Sequence, residues 1–173
     1  MLLHKISFMG IPKNYKQIDN ILSRSAQPQK GDFMWLKKQG VTDIVDFKTT
    51  VEDKLLPFNE QEIAEKLGIK YHKIKTITPL PNENKVNEFL NLVKSVGENH
   101  GKVHIHCLKG SDRTGMYSFI YKSLNNEGDV DSNVKEWLEM GHNTKVFPNF
   151  IINWAKEFVQ KMKDSQSEKK GIN

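Results

Sequence analysis

The sequence has very little cysteine and no long apolar run. Cys107 is the single cysteine among its 173 residues, which excludes an internal disulfide framework and is typical of a protein in a reducing compartment. No stretch approaches the length of a transmembrane helix, and residues 1–10 lack the sustained apolar core of a signal peptide. The sequence therefore predicts a cytoplasmic protein without a membrane span, although a lost or processed upstream signal peptide stays compatible with it.

Positive charge exceeds negative charge, but it is not concentrated. The chain carries 26 lysine and arginine residues against 21 aspartate and glutamate residues, a formal net charge of +5. No dense basic block is interleaved with aromatic residues, so we expect no nucleic-acid partner. A moderate positive charge suits an anionic substrate, and also a membrane surface.

Strand-like and helix-like segments alternate along the chain, which predicts an α/β fold. We expect a central, mostly parallel sheet of about four to five strands, with helices on both faces. Residues 1–163 are predicted to form a single domain, favoured as a monomer, and residues 164–173 a flexible polar tail. The predicted strands cover 21–25, 41–47, 69–74 and 102–106, and the predicted helices cover 30–39, 60–67, 85–96, 113–124, 132–140 and 147–162. Residues 49–59 and 76–84 are expected to be loops.

Residues 106–115 stand between the last predicted strand and a helix. A loop in that position aims backbone N–H groups and a helix N-terminus at one small volume, which binds phosphate or another oxyanion. Cys107 would lie at the strand end as a thiolate nucleophile able to attack phosphorus. Arg113 can hold two phosphate oxygens with its planar fork, and Gly110 allows a tight turn. The Thr114 hydroxyl can hydrogen-bond the departing sulfur.

A metal or cofactor is not expected at this loop. The N–H groups and the guanidinium already neutralise the transferred charge. His104, His106 and Cys107 are close in sequence, but the two histidines lie on one face of a strand and the cysteine on the other, and no four-ligand zinc set is complete. A lone cysteine can also be a small buried core residue, an alternative that Gly110 and Arg113 at their spacings make less attractive.

The same loop resembles the His-Cys-x-x-Gly-x-x-Arg-Ser/Thr signature of the cysteine-dependent phosphatases, the tyrosine and dual-specificity phosphatases and their lipid and inositol phosphatase relatives. Residues 22–28 resemble the "RSAQP" opening of small microbial atypical dual-specificity members, and residues 40–48 resemble their next strand, with Asp46-Phe47-Lys48 where Asp-Leu-Arg is usual. The resemblance implies a dual-specificity-phosphatase-like fold and hydrolysis through a phosphocysteine. It assigns substrate binding to Leu108, Lys109, Gly110, Ser111, Asp112 and Arg113, and loop support to His106 and Gly115.

The general acid is not evident. In the related phosphatases an aspartate on an upstream loop usually supplies the proton, but residues 75–84 contain none. Asp112 is one candidate, since myotubularin lipid phosphatases carry an aspartate at this loop position. Glu83 and Asp46 are alternatives, and a substrate with a good leaving group needs no acid.

The resemblance leaves the phosphorylated substrate open. Phosphotyrosine or phosphoserine protein, inositol phosphates and phosphoinositides all fit, and Lys109 projects where it could bind a second phosphate. We therefore expect a metal-independent phosphomonoester hydrolase. The alternatives are a non-catalytic phosphate-binding module and, less well matched to the spacing, a sulfur transferase or arsenate reductase.

Overall fold

The computed structural model describes residues 9–77, 81–146 and 149–171 and contains a five-stranded sheet in the order β1-β2-β5-β3-β4. The antiparallel edge strand β1 pairs with β2, and the other pairings are parallel. The strands are β1 Lys16–Gln17, β2 Leu22–Ser25, β3 Asp43–Asp46, β4 Lys70–Lys73 and β5 Val103–His106. The mostly parallel α/β sheet expected from the sequence is thereby confirmed; only the short strand β1 was not predicted.

Helices cover both faces of the sheet. They are α1 Asp32–Lys38, α2 Thr50–Asp53, α3 Glu60–Lys66, α4 Glu83–Glu98, α5 Arg113–Leu124, α6 Val130–Glu139 and α7 Phe150–Gly171. Ile44 packs into a core with α1 and α3, whereas its neighbour Val45 packs into a larger core with α4, α5 and α7. Successive side chains of a strand point to opposite faces, so β3 separates the two cores.

The central strand β5 is buried on both faces along its whole length. Leu22 of β2 and Asp43 of β3 are both in register with Val103 of β5. Parallel strands that are covered on both sides bind ligands beyond their carboxyl ends. The residues that follow His106 therefore lie at the position where a site is expected.

Three segments differ from the sequence-based expectation. The predicted loop 49–59 contains the short helix α2, which begins after Thr49. Helix α6 begins at Val130, two residues before the predicted helix 132–140, because Asp129 caps it by accepting from Ser132 N. Helix α7 runs to Gly171 through most of the predicted tail. Parts of the predicted loop 76–84 and of the predicted helix 147–162 lie outside the described residues.

In the described part of the chain, no helix is both long and apolar enough to cross a membrane.

Candidate active site

The loop between β5 and α5, residues 107–113, holds the sulfur of Cys107. We call it the phosphate loop. Cys107 is 2% exposed, and its Sγ accepts a hydrogen bond from Gly110 N at 3.2 Å. Gly110 has φ +74°, and a Cβ there would lie 2.5 Å from Ser25 O and Ala26 N. Only glycine can adopt this conformation so close to the neighbouring backbone.

Three carbonyl groups on the outer side of the phosphate loop are held by other elements. Gln27 N donates to Leu108 O at 3.1 Å. Arg24 Nη2 donates to Gly110 O at 2.5 Å, and Trp137 Nε1 donates to Ser111 O at 3.1 Å. Because a carbonyl and the N–H of the same trans peptide point in opposite directions, these contacts leave N–H groups facing inward.

Trp137 reaches the loop because Gly115 has no side chain. A Cβ at Gly115 would lie 2.1 Å from Trp137 Nε1. The sequence assigned Gly115 to loop support, and the structure places it where the indole passes to reach Ser111. Ser111 O also accepts from Gly115 N at 3.1 Å, as the first backbone hydrogen bond of α5.

Arg113 is held in place by Glu52. Its Nη1 lies 2.7 Å from Oε2 and its Nη2 lies 2.6 Å from Oε1, a bidentate ion pair. Nη1 also donates to Phe47 O and Thr76 O, both at 3.4 Å. The hydrogen bonds from Arg113 lower the pKa of Glu52 to about 2, so Glu52 is ionised at any physiological pH. This end-on contact leaves the Nε side of the guanidinium for a ligand.

A buried cluster of charged side chains lies beneath the phosphate loop. His106 donates to Glu60 Oε1 at 2.5 Å and to Cys107 O at 3.2 Å. Burial alone would lower the pKa of His106, but the Glu60 and Asp46 carboxylates raise it above its usual value. Both ring nitrogens face acceptors, a geometry that favours the imidazolium. Lys48 Nζ bridges Asp46 at 2.6 Å and Glu60 at 3.0 Å.

The cluster brings Asp46, Glu60 and His106 close enough to hold a metal ion, with ligand atoms within 4.8 Å of one another. The ammonium of Lys48, however, already lies between the two carboxylates, and His106 supplies the second partner of Glu60. His104 is satisfied separately, by the Ser23 and Ser25 hydroxyls at 2.9 and 2.8 Å. These residues therefore form a charge-balanced support for the loop rather than an open set of metal ligands.

Two of the candidate acids are ion-paired. Asp46 is fully buried, and its Oδ2 accepts from Lys48, Lys73 and Tyr71 at 2.6 to 2.7 Å. Burial opposes ionisation, but His106 and Lys48 outweigh it and hold the Asp46 pKa well below its usual range. Glu83, at the start of α4, pairs with Lys161 of α7 at 3.1 Å.

Asp112 is the candidate acid that belongs to the phosphate loop itself. Its Oδ1 accepts from His142 Nδ1 at 2.7 Å and from Asn143 N at 3.1 Å. These contacts join the loop after α6 to the phosphate loop, and the His142 ring packs against Trp137 with centroids 4.6 Å apart.

The remaining loop residues differ in exposure. Lys109 is exposed and Leu108 is half-buried. The Thr114 hydroxyl is buried and has no hydrogen-bond partner among the described residues. The contact to the Cys107 sulfur suggested by the sequence is therefore not made in this structure.

Sequence reasoning missed the groups that hold the loop from outside. These are Arg24, Glu52, Glu60 and Trp137. One signal was present: Thr49 and Glu52 have capping-box spacing, and Glu52 Oε2 accepts from Thr49 N at 2.8 Å. That spacing would have indicated α2 within the predicted loop.

Comparison with protein families gives one match across the site. A family described as "DSP-PTPase phosphatase fused to NAD+ Kinase" matches residues 10–150. This range includes the whole phosphate loop and the elements that surround it. A search of curated proteins gives no match.

Solved structures with the same fold include several phosphatases. PTPMT1 superposes with a TM-score of 0.73 at 16% identity, covering 89% of this chain and 99% of that chain. The core catalytic domain of the PP-IP phosphatase SIW14 from S. cerevisiae gives 0.70 at 13% identity, covering 92% and 96%. A cysteine-to-serine variant of P. aeruginosa TpbA in complex with phosphotyrosine gives 0.61 at 18% identity, covering 84% and 82%. At these identities the likeness concerns the fold.

Proposed function

The chain belongs to the family of DSP-PTPase phosphatases fused to NAD+ kinase, and from that membership we propose a metal-independent phosphomonoester hydrolase that works through a phosphocysteine. Its class, a cysteine-dependent phosphatase of the dual-specificity type, follows from the family. The mechanism is supported above all by one observation, the contact of Gly110 N with Cys107 Sγ at 3.2 Å inside the phosphate loop. A loop N–H directed at the sulfur stabilises its thiolate.

The proposed reaction has two steps. The Cys107 thiolate attacks phosphorus, the S–P bond forms, and the P–O bond to the leaving alcohol breaks as that oxygen takes a proton. Water then attacks phosphorus and gives a proton to the carboxylate that donated one in the first step, the S–P bond breaks, and the thiolate returns with release of inorganic phosphate. Inward N–H groups of the loop and the Arg113 guanidinium stabilise the charge on the transferred oxygens in both steps.

We assign the proton to Asp112 because its rivals are less available. Asp46 is buried and ionised within its cluster, and Glu83 is paired with Lys161 on the surface. Asp112 uses Oδ1 for His142 and Asn143, which leaves Oδ2 to carry the proton.

Residues in and next to the loop support two substrate classes. Val51 and Ile77 are 70% and 59% exposed, and each adjoins a residue that contacts Arg113, namely Glu52 and Thr76. Exposed apolar side chains next in sequence to these contacts support an aryl phosphate such as phosphotyrosine, the ligand held by the TpbA variant. The exposed Lys109 ammonium supports an inositol phosphate as the second candidate, the class named for SIW14.

The proposal is tested by measuring phosphate release by wild type and by Cys107→Ser in the presence of a chelator and fresh reductant. The panel contains an aryl phosphate, a phosphotyrosine peptide, phosphoinositides and inositol polyphosphates. We expect turnover by wild type only, with the phosphotyrosine peptide preferred. Turnover that needs a metal ion, or that survives in Cys107→Ser, would refute the mechanism. Lys109→Met separates the substrate classes, because it should weaken inositol polyphosphates more than the peptide.

The acid assignment needs substrates with different leaving groups. Asp112→Asn should reduce turnover of an alkyl phosphate by about two to four decades, but turnover of para-nitrophenyl phosphate much less, because that oxygen leaves without a proton. An equal loss on both substrates would contradict the assignment and indicate that Asp112 only holds the His142 loop.

A further inference from the structure

Arg24 lies directly behind the phosphate loop, on β2. It is 1% exposed and pairs in register with Ile105 of β5. Its Nη2 lies 2.5 Å from Gly110 O. The guanidinium thus approaches the loop from the β2 side of the central strand, whereas Arg113 contacts Phe47 and Thr76 on the β3 side.

The positive charge of Arg24 has no carboxylate partner among the described residues. Glu136, whose charge favours the cation, instead pairs with Lys16 at 2.7 Å and Lys122 at 2.5 Å. Burial lowers the pKa of Arg24 to about 10, and an ionised Cys107 opposes this shift, so the guanidinium is charged at neutral pH. A buried, unpaired cation is costly to the fold, and fold stability therefore does not account for it.

The contact with Gly110 O also has a directional effect. Because the C=O and N–H of a trans peptide point in opposite directions, holding Gly110 O outward turns the Ser111 N–H inward. Gln27 N has the same effect two residues earlier in the loop. It donates to Leu108 O at 3.1 Å and so turns the Lys109 N–H inward. Gly110 N already points to the sulfur between them.

We propose that Arg24–Gln27 sets the anion-binding geometry of the phosphate loop, with Arg24 as a positioning residue and as a second buried cation for the bound phosphoryl group. The inference rests on the proposed function for the identity of its ligand. In this role Arg24 has a counter-charge in both states: the thiolate in the free enzyme and the phosphoryl oxygens in the complex.

Tungstate binding and turnover together test this role. Calorimetry with tungstate is done in the Cys107→Ser background, and turnover of an aryl phosphate in the Cys107 background. Arg24→Met should weaken tungstate by about tenfold or more and lower kcat/KM by about a hundredfold, the scale for losing one oriented oxyanion donor. Its melting temperature should be equal to or above that of wild type. Arg24→Lys keeps the charge without the planar fork and should fall between the two.

Lys156→Met is the control, since Lys156 is a cation of α7 whose ion pair, with Asp131 at 3.2 Å, does not involve Glu136. It should leave tungstate affinity unchanged. Tungstate affinity within twofold of wild type in Arg24→Met would overturn the inference, as would a loss of activity that only follows a loss of folded protein. If Arg24→Met does not fold, an unchanged affinity in folded Arg24→Lys overturns it instead.

The two proposals can fail separately. Tungstate binding that depends on Arg24, without turnover of any phosphate ester by wild type, would refute the proposed function and support this inference. An active wild type whose Arg24 variants bind and react normally would refute this inference alone.

Discussion

Glu52→Gln tests whether catalysis requires the bidentate contact of Glu52 with Arg113. The side chains of Arg113 and Glu52 are 12% and 20% exposed. Breaking a buried ion pair costs roughly 3–5 kcal/mol, whereas an exposed ion pair contributes about 0–1 kcal/mol, and this pair is intermediate in exposure. We therefore expect the free energy of unfolding to fall by about 1–2 kcal/mol. A displacement of the guanidinium by about 1 Å costs on the order of a hundredfold in rate, so kcat/KM should fall by about ten- to a hundredfold.

The assay compares kcat/KM on an aryl phosphate with competitive inhibition by inorganic phosphate, alongside urea unfolding. Glu62→Gln is the matched control because Glu62 makes an exposed ion pair with Lys66 on α3; it should change neither activity nor the unfolding midpoint. If Glu52→Gln stayed within twofold of wild type in both kcat/KM and phosphate inhibition, the reasoning would be wrong.

The same variant predicts a pH dependence. Arg113 lowers the pKa of Glu52 from 4.5 to about 2 in the folded state. A lowered pKa means that the stability from Glu52 is fully present above about pH 4.5 and is lost as the pH falls toward 2. The difference in unfolding free energy between wild type and Glu52→Gln should therefore be constant above pH 5 and shrink below it. A difference that grows on acidification would contradict the ion-pair assignment.

Three further changes have definite expected results. Gly115→Ala places a Cβ 2.1 Å from Trp137 Nε1, so it should destabilise the fold by about 1–3 kcal/mol and lower kcat, as measured by urea unfolding and turnover. Lys48→Met leaves the carboxylates of Asp46 and Glu60 without their shared ammonium. Thermal unfolding should show that the free energy of unfolding falls by about 3–5 kcal/mol, and by less at pH 5 than at pH 8. Glu83→Gln should keep turnover of an alkyl phosphate within twofold, since Glu83 is paired on the surface.

The phosphate loop was predictable because its chemistry is local. Cys107, Gly110 and Arg113 lie within seven consecutive residues of the sequence, between a β-rich run and a helical pattern. Strands β3 and β5 were also predictable, since each is a short run with Val and Ile, and β4 is flanked by Ile69 and Ile74. Strand β2 has a single apolar residue, Leu22. The edge strand β1 has two residues and is too short to carry a period.

The supports of the loop are distant in sequence, and no local pattern connects them to it. Glu52 is separated from Arg113 by 61 residues, Glu60 from His106 by 46 and Arg24 from Gly110 by 86. Lys48 was also hidden, because a lysine at a strand end ordinarily faces water. Its burial depends on Asp46, two residues away, and on Glu60, which α3 brings to it; the second contact is a tertiary effect.

The placement of β5 at the centre of the sheet also governs how the chain can fold. Its neighbours β2 and β3 are formed by residues that precede it by about 80 and 60 positions, as the contacts of Ser23 with His104 and of Thr42 with Lys102 show. Until β5 docks, β2 and β3 each expose an unpaired edge. Closing such long loops is slow, so refolding should be limited by insertion of this strand. The nucleophile follows the strand directly, and catalytic competence should therefore appear only in the last step, together with the native sheet.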